Sequence, residues 1–314
     1  MNAAALTSVP LARTEGERPR EYERLDESKG YLGLGRSRTF PFPQYVSDDE
    51  YATVFFDEGY GRPLVFVHGL GANATHWELV ARELVDSHRV AGLDLVGLGW
   101  SRKPDVRYTI DLLRDHLLSF VEERGIRRAT FVGHSMGGAV VLAAALERPE
   151  LVDGLVLIGA AGVAPLPRWM RLAAPIALNR AFLFPFLGLG AEFILRNVFV
   201  DSPEENPHVR WFYESALHDN PARTNLFDFA RVSESLCADI LERDYSPRFA
   251  SLTIPVLAIW GEADKLATVG PVLKRLRRLR RLRTVMMPRT GHMPMVERPE
   301  ETLFHIERFL SNPP

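Results

Sequence analysis

The sequence predicts an α/β fold with a mostly parallel central sheet, flanking helices and an inserted helical cap. Short apolar runs alternate with helix-length segments from Tyr51 to Ile158, and the alternation resumes at Pro255 after a long break. A turn bracketed by Gly133 and Gly137 joins one apolar run directly to a helical segment. Strands that alternate with helices are typical of a parallel sheet covered on both faces, so such a sheet is the predicted core.

Individual elements follow from the lengths of the apolar runs. Short runs predict strands, and longer segments predict helices. In a parallel sheet, ligands bind beyond the carboxyl ends of the strands, so functional residues are expected in the loops that follow them. The predicted strands are 52–56, 63–67, 89–95, 129–132, 155–158, 255–260 and 284–287, and the predicted helices are 76–85, 110–123, 135–147 and 299–310.

The chain divides into three predicted parts. The N-terminal extension is polar and carries charges of both signs in its first 30 residues, which are expected to be partly mobile. Its last residues, 40–45, are expected to dock on the core as an extended segment. The cap is rich in proline and aromatic residues and has helical but no strand signals. The predicted parts are the extension 1–45, the core 46–161 and 241–314, and the cap 162–240.

Composition excludes several classes of protein. A chain of 314 residues, 46% of them hydrophobic, can bury a large core without covalent staples. Its formal net charge of -2 gives no indication of a nucleic-acid partner. The single cysteine, Cys237, has no partner for an internal disulfide and is expected to be a small core residue in a reducing compartment.

Targeting signals are weak in this sequence. The first residues lack the basic region and the apolar region of a signal peptide. The charge-free stretch 181–191 contains Pro185 and is far shorter than the roughly 20 apolar residues that a membrane span needs. The sequence therefore predicts a cytoplasmic protein without a transmembrane helix.

The turn G-H-S-M-G-G at residues 133–138 is the main candidate for chemistry. Glycines on both sides of Ser135 let the chain leave a strand, turn sharply and enter a helix within a few residues. Such a turn exposes the serine side chain at the carboxyl edge of the sheet. We therefore predict that Ser135 is a nucleophile.

A serine nucleophile needs a base and an acid that orients the base. The strand 255–260 runs into G-E-A-D at residues 261–264, which offers Asp264 and Glu262 as candidate acids. The strand 284–287 runs into a loop that contains His292, the candidate base. The order serine, acid, histidine is typical of α/β-hydrolase triads.

A second glycine-rich turn follows the strand 63–67 and reads H-G-L-G at residues 68–71. Backbone N–H groups in such a turn can stabilise the negative charge that develops on a substrate carbonyl oxygen. We predict an oxyanion hole formed by the N–H groups of Leu70 and Met136.

Together these motifs resemble the α/β-hydrolase fold superfamily, in the group of capped bacterial esterases, lipases and carbon–carbon bond hydrolases. The motifs lie at 68–71, 94–101, 133–138, 261–264 and 291–292, and the resemblance spans residues 50–313. The resemblance implies that Asp264 rather than Glu262 is the acid. It also implies that Asp94 fixes the glycine-rich loop after it and that His68 holds the oxyanion turn.

The resemblance and the serine together imply hydrolysis of a carboxylic ester, and the aromatic, apolar cap predicts that its acyl or aryl group is hydrophobic. No metal or organic cofactor is implied. Related dehalogenases and epoxide hydrolases carry aspartate where Ser135 stands, so those activities are not expected.

Three alternatives stay open at this point. A carbon–carbon bond hydrolase of a diketone-like product is one, although that group often carries asparagine at the position of His134 and tryptophan at that of Met293. Cofactor-free peroxidase or lyase activity is another. The third is a non-catalytic receptor on a hydrolase fold, for which an intact set of serine, acid and histidine would have no use.

The segment 274–283 reads K-R-L-R-R-L-R-R-L-R and is the most basic part of the chain. It is predicted to be a solvated outer helix whose Val272, Leu273, Leu276 and Leu279 pack on the sheet. The alternative is electrostatic contact with anionic lipid or an acidic partner, which with the apolar cap would describe a lipase at a membrane surface.

Overall fold

The computed structural model describes residues 9–10, 21–24, 44–164, 197–218, 226–267 and 269–314. Within these residues, ten strands form a sheet in the order β1-β2-β3-β4-β6-β5-β7-β8-β9-β10. The strands are β1 (Val9–Pro10), β2 (Glu21–Arg24), β3 (Tyr45–Val46), β4 (Val54–Glu58), β5 (Pro63–Val67), β6 (Arg89–Leu93), β7 (Ala129–His134), β8 (Val152–Ile158), β9 (Val256–Gly261) and β10 (Leu282–Met287).

The strands from β5 to β10 run parallel, which confirms the mostly parallel sheet predicted from the sequence. The antiparallel pairs lie at the β1 edge of the sheet, where β1, β2, β3, β4 and β6 pair in that order. Every residue of β7 and of β9 is buried, because helices cover both faces of the sheet.

Helices cover the sheet from both sides. On β5, Val65 and Val67 belong to the apolar cluster under α2 and α3, whereas Leu64 and Phe66 belong to the cluster under α1 and α8. This division follows from the alternation of side chains along a strand. The helices are α1 (Glu78–Leu84), α2 (Ile110–Glu123), α3 (Met136–Glu147), α4 (Pro207–His218), α5 (Leu226–Glu242), α6 (Val269–Leu276), α7 (Pro294–Glu297) and α8 (Pro299–Ser311).

The described part of the predicted cap contains α4 and α5 and no strand. Asp239 on α5 accepts a hydrogen bond from the Ile110 N–H at 2.8 Å, and Arg243 pairs with Asp111 at 2.6 Å, so α5 is anchored to the start of α2. Residues 165–196 and 219–225 of the predicted cap lie outside the described residues. Among the described helices, none has the length and apolar character needed to cross a bilayer.

Most of the N-terminal extension also lies outside the described residues. The part that is described contains β1, β2 and the first residue of β3, and β2 pairs with β3 along the antiparallel side of the sheet. Tyr45 is buried in β3 and packs on Phe55 with a ring-centroid distance of 5.6 Å. This placement agrees with an extended segment docked on the core at Tyr45.

The predicted helix across 274–283 is wrong. Helix α6 ends at Leu276, a turn follows, and β10 begins at Leu282. Leucines three residues apart cannot keep one face of a helix with 3.6 residues per turn. The carbonyl of Arg281 instead accepts a hydrogen bond from the Val256 N–H at 2.8 Å, which starts strand pairing with β9.

The packing predicted for this segment agrees better with the structure. Val272, Leu276 and Leu279 are buried, and Leu273 is half-buried. The basic turn lies at the amino end of β10, so it is at the opposite edge of the sheet from the loops that follow β7, β9 and β10.

A buried polar relay holds the loop after β6. The His116 Nδ1 accepts a hydrogen bond from the Val96 N–H at 3.0 Å, so its Nε2–H donates to Thr53 Oγ1 at 2.6 Å. The Thr53 hydroxyl in turn donates to Asp49 at 2.5 Å. Burial lowers the pKa of His116 to about 4, so the ring is neutral near neutral pH.

We predict that this relay makes the fold sensitive to acid. Between pH 6.5 and about 4, His116 is protonated in the unfolded chain but neutral in the folded chain. The free energy of unfolding therefore falls as pH falls through that window. The relay accounts for about 3 kcal/mol of this loss. Urea unfolding across the window measures the free energy of unfolding.

The control is His116→Asn, whose side-chain oxygen can still accept from Val96 and cannot titrate. Other buried histidines titrate in both proteins, so the difference between the two pH profiles isolates His116. Equal slopes in the two proteins would contradict the prediction.

Candidate active site

Ser135 lies at the sharp turn between β7 and α3. Its backbone has φ 52° and ψ -118°, a region that residues with a side chain rarely adopt. Three backbone hydrogen bonds hold this geometry: the Ser135 N–H donates to Ile158 O, and the Ser135 carbonyl accepts from Gly138 and Ala161. Strain of this kind persists only where the surroundings enforce it, and it clusters at functional sites.

The glycines around the turn are required by close packing. A Cβ on Gly133 would lie 2.6 Å from the Gly137 carbonyl oxygen, and one on Gly137 would lie 2.2 Å from the Val67 carbonyl oxygen. A Cβ on Gly138 would lie 2.3 Å from the Cβ of Ala160. The turn therefore fits between β5 and the loop after β8 only because these positions lack side chains.

His292 and Asp264 form a buried pair at the carboxyl ends of β9 and β10. The His292 Nδ1 lies 2.8 Å from Asp264 Oδ2, and the two side chains are 6% and 0% exposed. The other carboxylate oxygen of Asp264 accepts hydrogen bonds from the Leu266 and Ala267 N–H groups, both at 2.8 Å. Glu262, the alternative acid, is exposed to solvent.

The His292 ring lies beside the serine turn. A Cβ on Gly159 would lie 3.0 Å from His292 Nδ1, and Gly159 directly follows Ile158, which binds the Ser135 N–H. Among the described residues, the Ser135 hydroxyl makes no hydrogen bond to the ring. In enzymes without substrate such contacts are often long and close only when substrate binds.

The two amides predicted as an oxyanion hole flank Ser135. Met136 is the first residue of α3, where backbone N–H groups have no partner within the helix. A Cβ on Gly69, which precedes Leu70, would lie 3.2 Å from the Ser135 Cβ. Within the described residues, neither the Leu70 nor the Met136 N–H donates a hydrogen bond. Both are thus free to bind an oxygen.

His68 and Asp94 hold the loops behind this turn. The Leu95 N–H donates to His68 Nε2 at 3.1 Å, so the His68 Nδ1–H donates to the Gly69 carbonyl at 2.8 Å. The Asp94 carboxylate accepts from the Ala74 and Trp100 N–H groups, both at 2.7 Å. Both side chains are engaged with backbone groups, in agreement with the structural roles expected from the sequence.

Three other histidines near the site and the Cys237 thiol are held neutral. Burial lowers the pKa of His68, His76 and His134, that of His76 to about 3. Burial raises the pKa of the Cys237 thiol to about 12, so little thiolate is present at neutral pH. Cys237 is half-buried rather than a fully buried core residue.

Residues of the cap region contact the loops that carry the site. The His292 N–H donates to the Val198 carbonyl at 2.7 Å, and next to it Phe199 packs on Phe212 with a ring-centroid distance of 5.3 Å. The Phe229 ring lies 3.6 Å from the position that a Cβ on Gly71 would occupy. A small, partly open depression borders this loop and is lined by Gly71, Ala72, Gly97, Leu98, Gly99, Lys103 and Phe229.

Glu297 is a site residue that the sequence did not reveal. Its side chain is buried, and one carboxylate oxygen accepts from the Val200 and Asp201 N–H groups at 2.6 and 2.8 Å. The other oxygen accepts from the Gly291 N–H at 2.6 Å, directly before His292. A lone glutamate at the end of a short helix has no sequence signature that separates it from a solvated one.

The comparisons with known proteins agree with this architecture. The parallel sheet with a strained serine turn at its carboxyl edge defines an α/β hydrolase. A family model of the alpha/beta hydrolase fold matches residues 62–299, and the chain belongs to that family. The protein is a hydrolase of this fold.

Similar proteins have several activities. The 2-hydroxy-6-oxo-6-(2'-aminophenyl)hexa-2,4-dienoic acid hydrolase of Metapseudomonas resinovorans is 28% identical over 277 residues, covering 85% of this chain and 90% of that protein. A membrane phospholipase A structure has a TM-score of 0.67 and 29% identity, with 82% of each chain covered. An esterase from Thermogutta terrifontis has a TM-score of 0.70 over 87% and 96% of the chains; at 22% identity it shows the fold alone.

We predict that Glu297→Gln weakens both the fold and the site. One end of the glutamine side chain is an NH₂ group, which cannot accept a hydrogen bond. At least one of the backbone N–H groups that Glu297 now binds would therefore be buried without an acceptor. Each such group costs about 1–3 kcal/mol. Urea unfolding should show a loss of that size, and turnover should fall because the His292 loop loses its anchor.

The matched control is Glu83→Gln, which removes one carboxylate from a solvent-exposed pair with Arg82. Surface pairs of this kind contribute about 0–1 kcal/mol. Equal stabilities of the two variants would show that Glu297 does not hold the loop.

Proposed function

We propose that the protein is a serine hydrolase that cleaves a carboxylic ester with a hydrophobic acyl or aryl group through an acyl-enzyme. The observation that carries this proposal is the buried pair of His292 and Asp264 beside the strained turn of Ser135. The pair supplies a base with a fixed tautomer, because its Nδ1–H is bound by the carboxylate and its Nε2 is left to accept a proton.

In the first half-reaction Ser135 Oγ attacks the ester carbonyl carbon while His292 Nε2 takes the hydroxyl proton. Asp264 keeps the ring oriented and stabilises the imidazolium that forms. The tetrahedral intermediate collapses when His292 returns this proton to the alcohol leaving group. The acyl group remains on Ser135.

In the second half-reaction a water molecule gives a proton to His292 and attacks the acyl carbon. Collapse of this intermediate releases the carboxylic acid and returns the proton to Ser135. In both halves the Leu70 and Met136 N–H groups bind the oxyanion, and each such donor contributes about 2.7–4 kcal/mol in other enzymes. The amino end of α3 adds a favourable dipole at Met136.

The hydrophobic acyl or aryl group is supported by the surroundings of the site. Val198 and Phe199 lie within the predicted cap, the Val198 carbonyl binds the His292 N–H, Phe199 lies against Gly291, and Phe229 lies against the oxyanion turn. Contact with such side chains stabilises a bound apolar group by about 25 cal/mol for each Å² removed from water. The likeness to the phospholipase A structure, which is 29% identical, supports the ester bond.

A second candidate is a carbon–carbon bond hydrolase. The observation that favours it is the similarity along most of the chain to the dienoic acid hydrolase of Metapseudomonas resinovorans. Enzymes of that group often carry asparagine at the position of His134 and tryptophan at that of Met293. Because this chain has neither, ester hydrolysis is favoured over carbon–carbon bond hydrolysis.

A turnover panel tests both candidates. We expect hydrolysis of p-nitrophenyl esters or acylglycerols and weak or no turnover of a dienone-type ring-cleavage product. Ser135→Ala and His292→Gln should each lower kcat by about 10⁴-fold or more, because the groups of a triad act as a unit. Asp264→Asn should lower it by about 10⁴-fold because the ring loses its tautomer.

Ser311→Ala is the matched control, since it removes an exposed hydroxyl at the end of α8 that binds the Glu307 carbonyl. It should retain wild-type turnover. Faster turnover of the dienone than of the esters would favour the second candidate. Ester turnover that survives Ser135→Ala would contradict the serine mechanism, and no serine-dependent turnover of any substrate would favour the receptor alternative.

A further inference from the structure

His134 is a buried histidine that directly precedes Ser135 and that the proposed chemistry does not use. It is the last residue of β7, and its side chain is almost completely enclosed. Its ring lies 4.9 Å from the His292 ring, measured between centroids. Two histidines thus meet at the carboxyl edge of the sheet.

The hydrogen bond between them fixes the tautomer of His134. The His134 Nε2 lies 3.0 Å from the His292 carbonyl oxygen, which can only accept. The Nε2 must therefore carry the proton and donate it. This bond connects the strand that carries Ser135 to the backbone of His292, across 158 residues of sequence.

The other nitrogen of the ring faces the oxyanion turn. A Cβ on Gly69 would lie 3.0 Å from His134 Nδ1 and 3.2 Å from the Ser135 Cβ. This Nδ1 has no hydrogen-bond partner among the described residues. His134 therefore touches the backbones of both loops that flank Ser135.

The ring is held neutral in this position. Burial lowers the pKa of His134 well below its usual value. The charges of the neighbouring His292, His76 and His68 also lower this pKa, whereas the hydrogen bond to the His292 carbonyl acts in the opposite direction. A neutral ring can donate to the His292 carbonyl without placing a second positive charge beside the imidazolium that forms in the reaction.

We propose that His134 is a positioning residue that sets the orientation of His292 relative to Ser135 and Asp264. The proposal rests on the serine mechanism above. Without the His134 bond, two contacts would still hold His292: its N–H binds the Val198 carbonyl, and its ring binds Asp264. Its carbonyl would have no partner among the described residues. A displacement of about 1 Å at such a base lowers turnover by about 10²-fold.

The two amide side chains offer a matched pair of variants. In His134→Gln the side-chain N–H₂ lies at the distance of Nε2 and can still donate to the His292 carbonyl. In His134→Asn it lies at the distance of Nδ1 and cannot reach that oxygen. His305→Asn on α8 controls for the loss of a histidine away from the site.

We expect His134→Asn to lower kcat by about 10–100-fold with KM changed by less than about 3-fold, and His134→Gln to restore most of kcat. The acid limb of the kcat/KM profile should move to lower pH in His134→Asn, because a loosened His292 is held less firmly by Asp264. A role in folding alone would lower Tm in both variants and leave that limb in place, which would overturn the proposal.

A second readout does not depend on turnover. The proton shared by His292 Nδ1 and Asp264 gives a downfield signal in proton NMR spectra. We expect this signal to broaden or vanish in His134→Asn and to persist in His134→Gln and in Ser135→Ala. An unchanged signal in His134→Asn would overturn the positioning role, and this result does not require a known substrate. If the signal changes as expected but the wild type hydrolyses no ester, the result would count against the ester mechanism alone.

Discussion

The strained backbone of Ser135 is the constraint on which the rest of the site depends. At φ 52° the residue is stable only because Ile158, Gly138 and Ala161 bind its backbone and because no side chain fills the space at Gly133. The same turn exposes the Ser135 hydroxyl and, among the described residues, leaves the Met136 N–H at the start of α3 without a partner. One local distortion thus supplies both the proposed nucleophile and part of its proposed oxyanion site.

The loops around this turn are held by buried polar groups rather than by apolar packing alone. His68 and Asp94 each bind two backbone groups, Glu297 binds three, and His134 connects the turn to the His292 loop. Groups of this kind stabilise one arrangement because leaving any of them unpaired costs about 1–3 kcal/mol. These buried polar groups therefore hold the loops of the site in one arrangement before any ligand binds. Electrostatic stabilisation of an oxyanion requires such preorganised donors.

Much of this architecture could be predicted from the sequence, because glycine spacing and apolar runs report local geometry. The parallel sheet and the meeting of His292 with Asp264 follow from strand ends that share one edge. The segment 274–283 was mispredicted because its composition gives no local signal of the pairing between β10 and β9, which ends the helix at Leu276. Glu297 and the contact of His134 were not predictable, since both depend on backbone groups that are distant in sequence.

Covalent labelling tests the central claim most directly, because it detects the nucleophile without knowledge of the natural substrate. A fluorophosphonate probe followed by peptide mapping should give one adduct, on Ser135. His292→Gln should slow the labelling by about 10³-fold or more, because the hydroxyl then lacks a base. An adduct on another residue, or a Ser135 that reacts no faster in the wild type than in His292→Gln, would contradict the account.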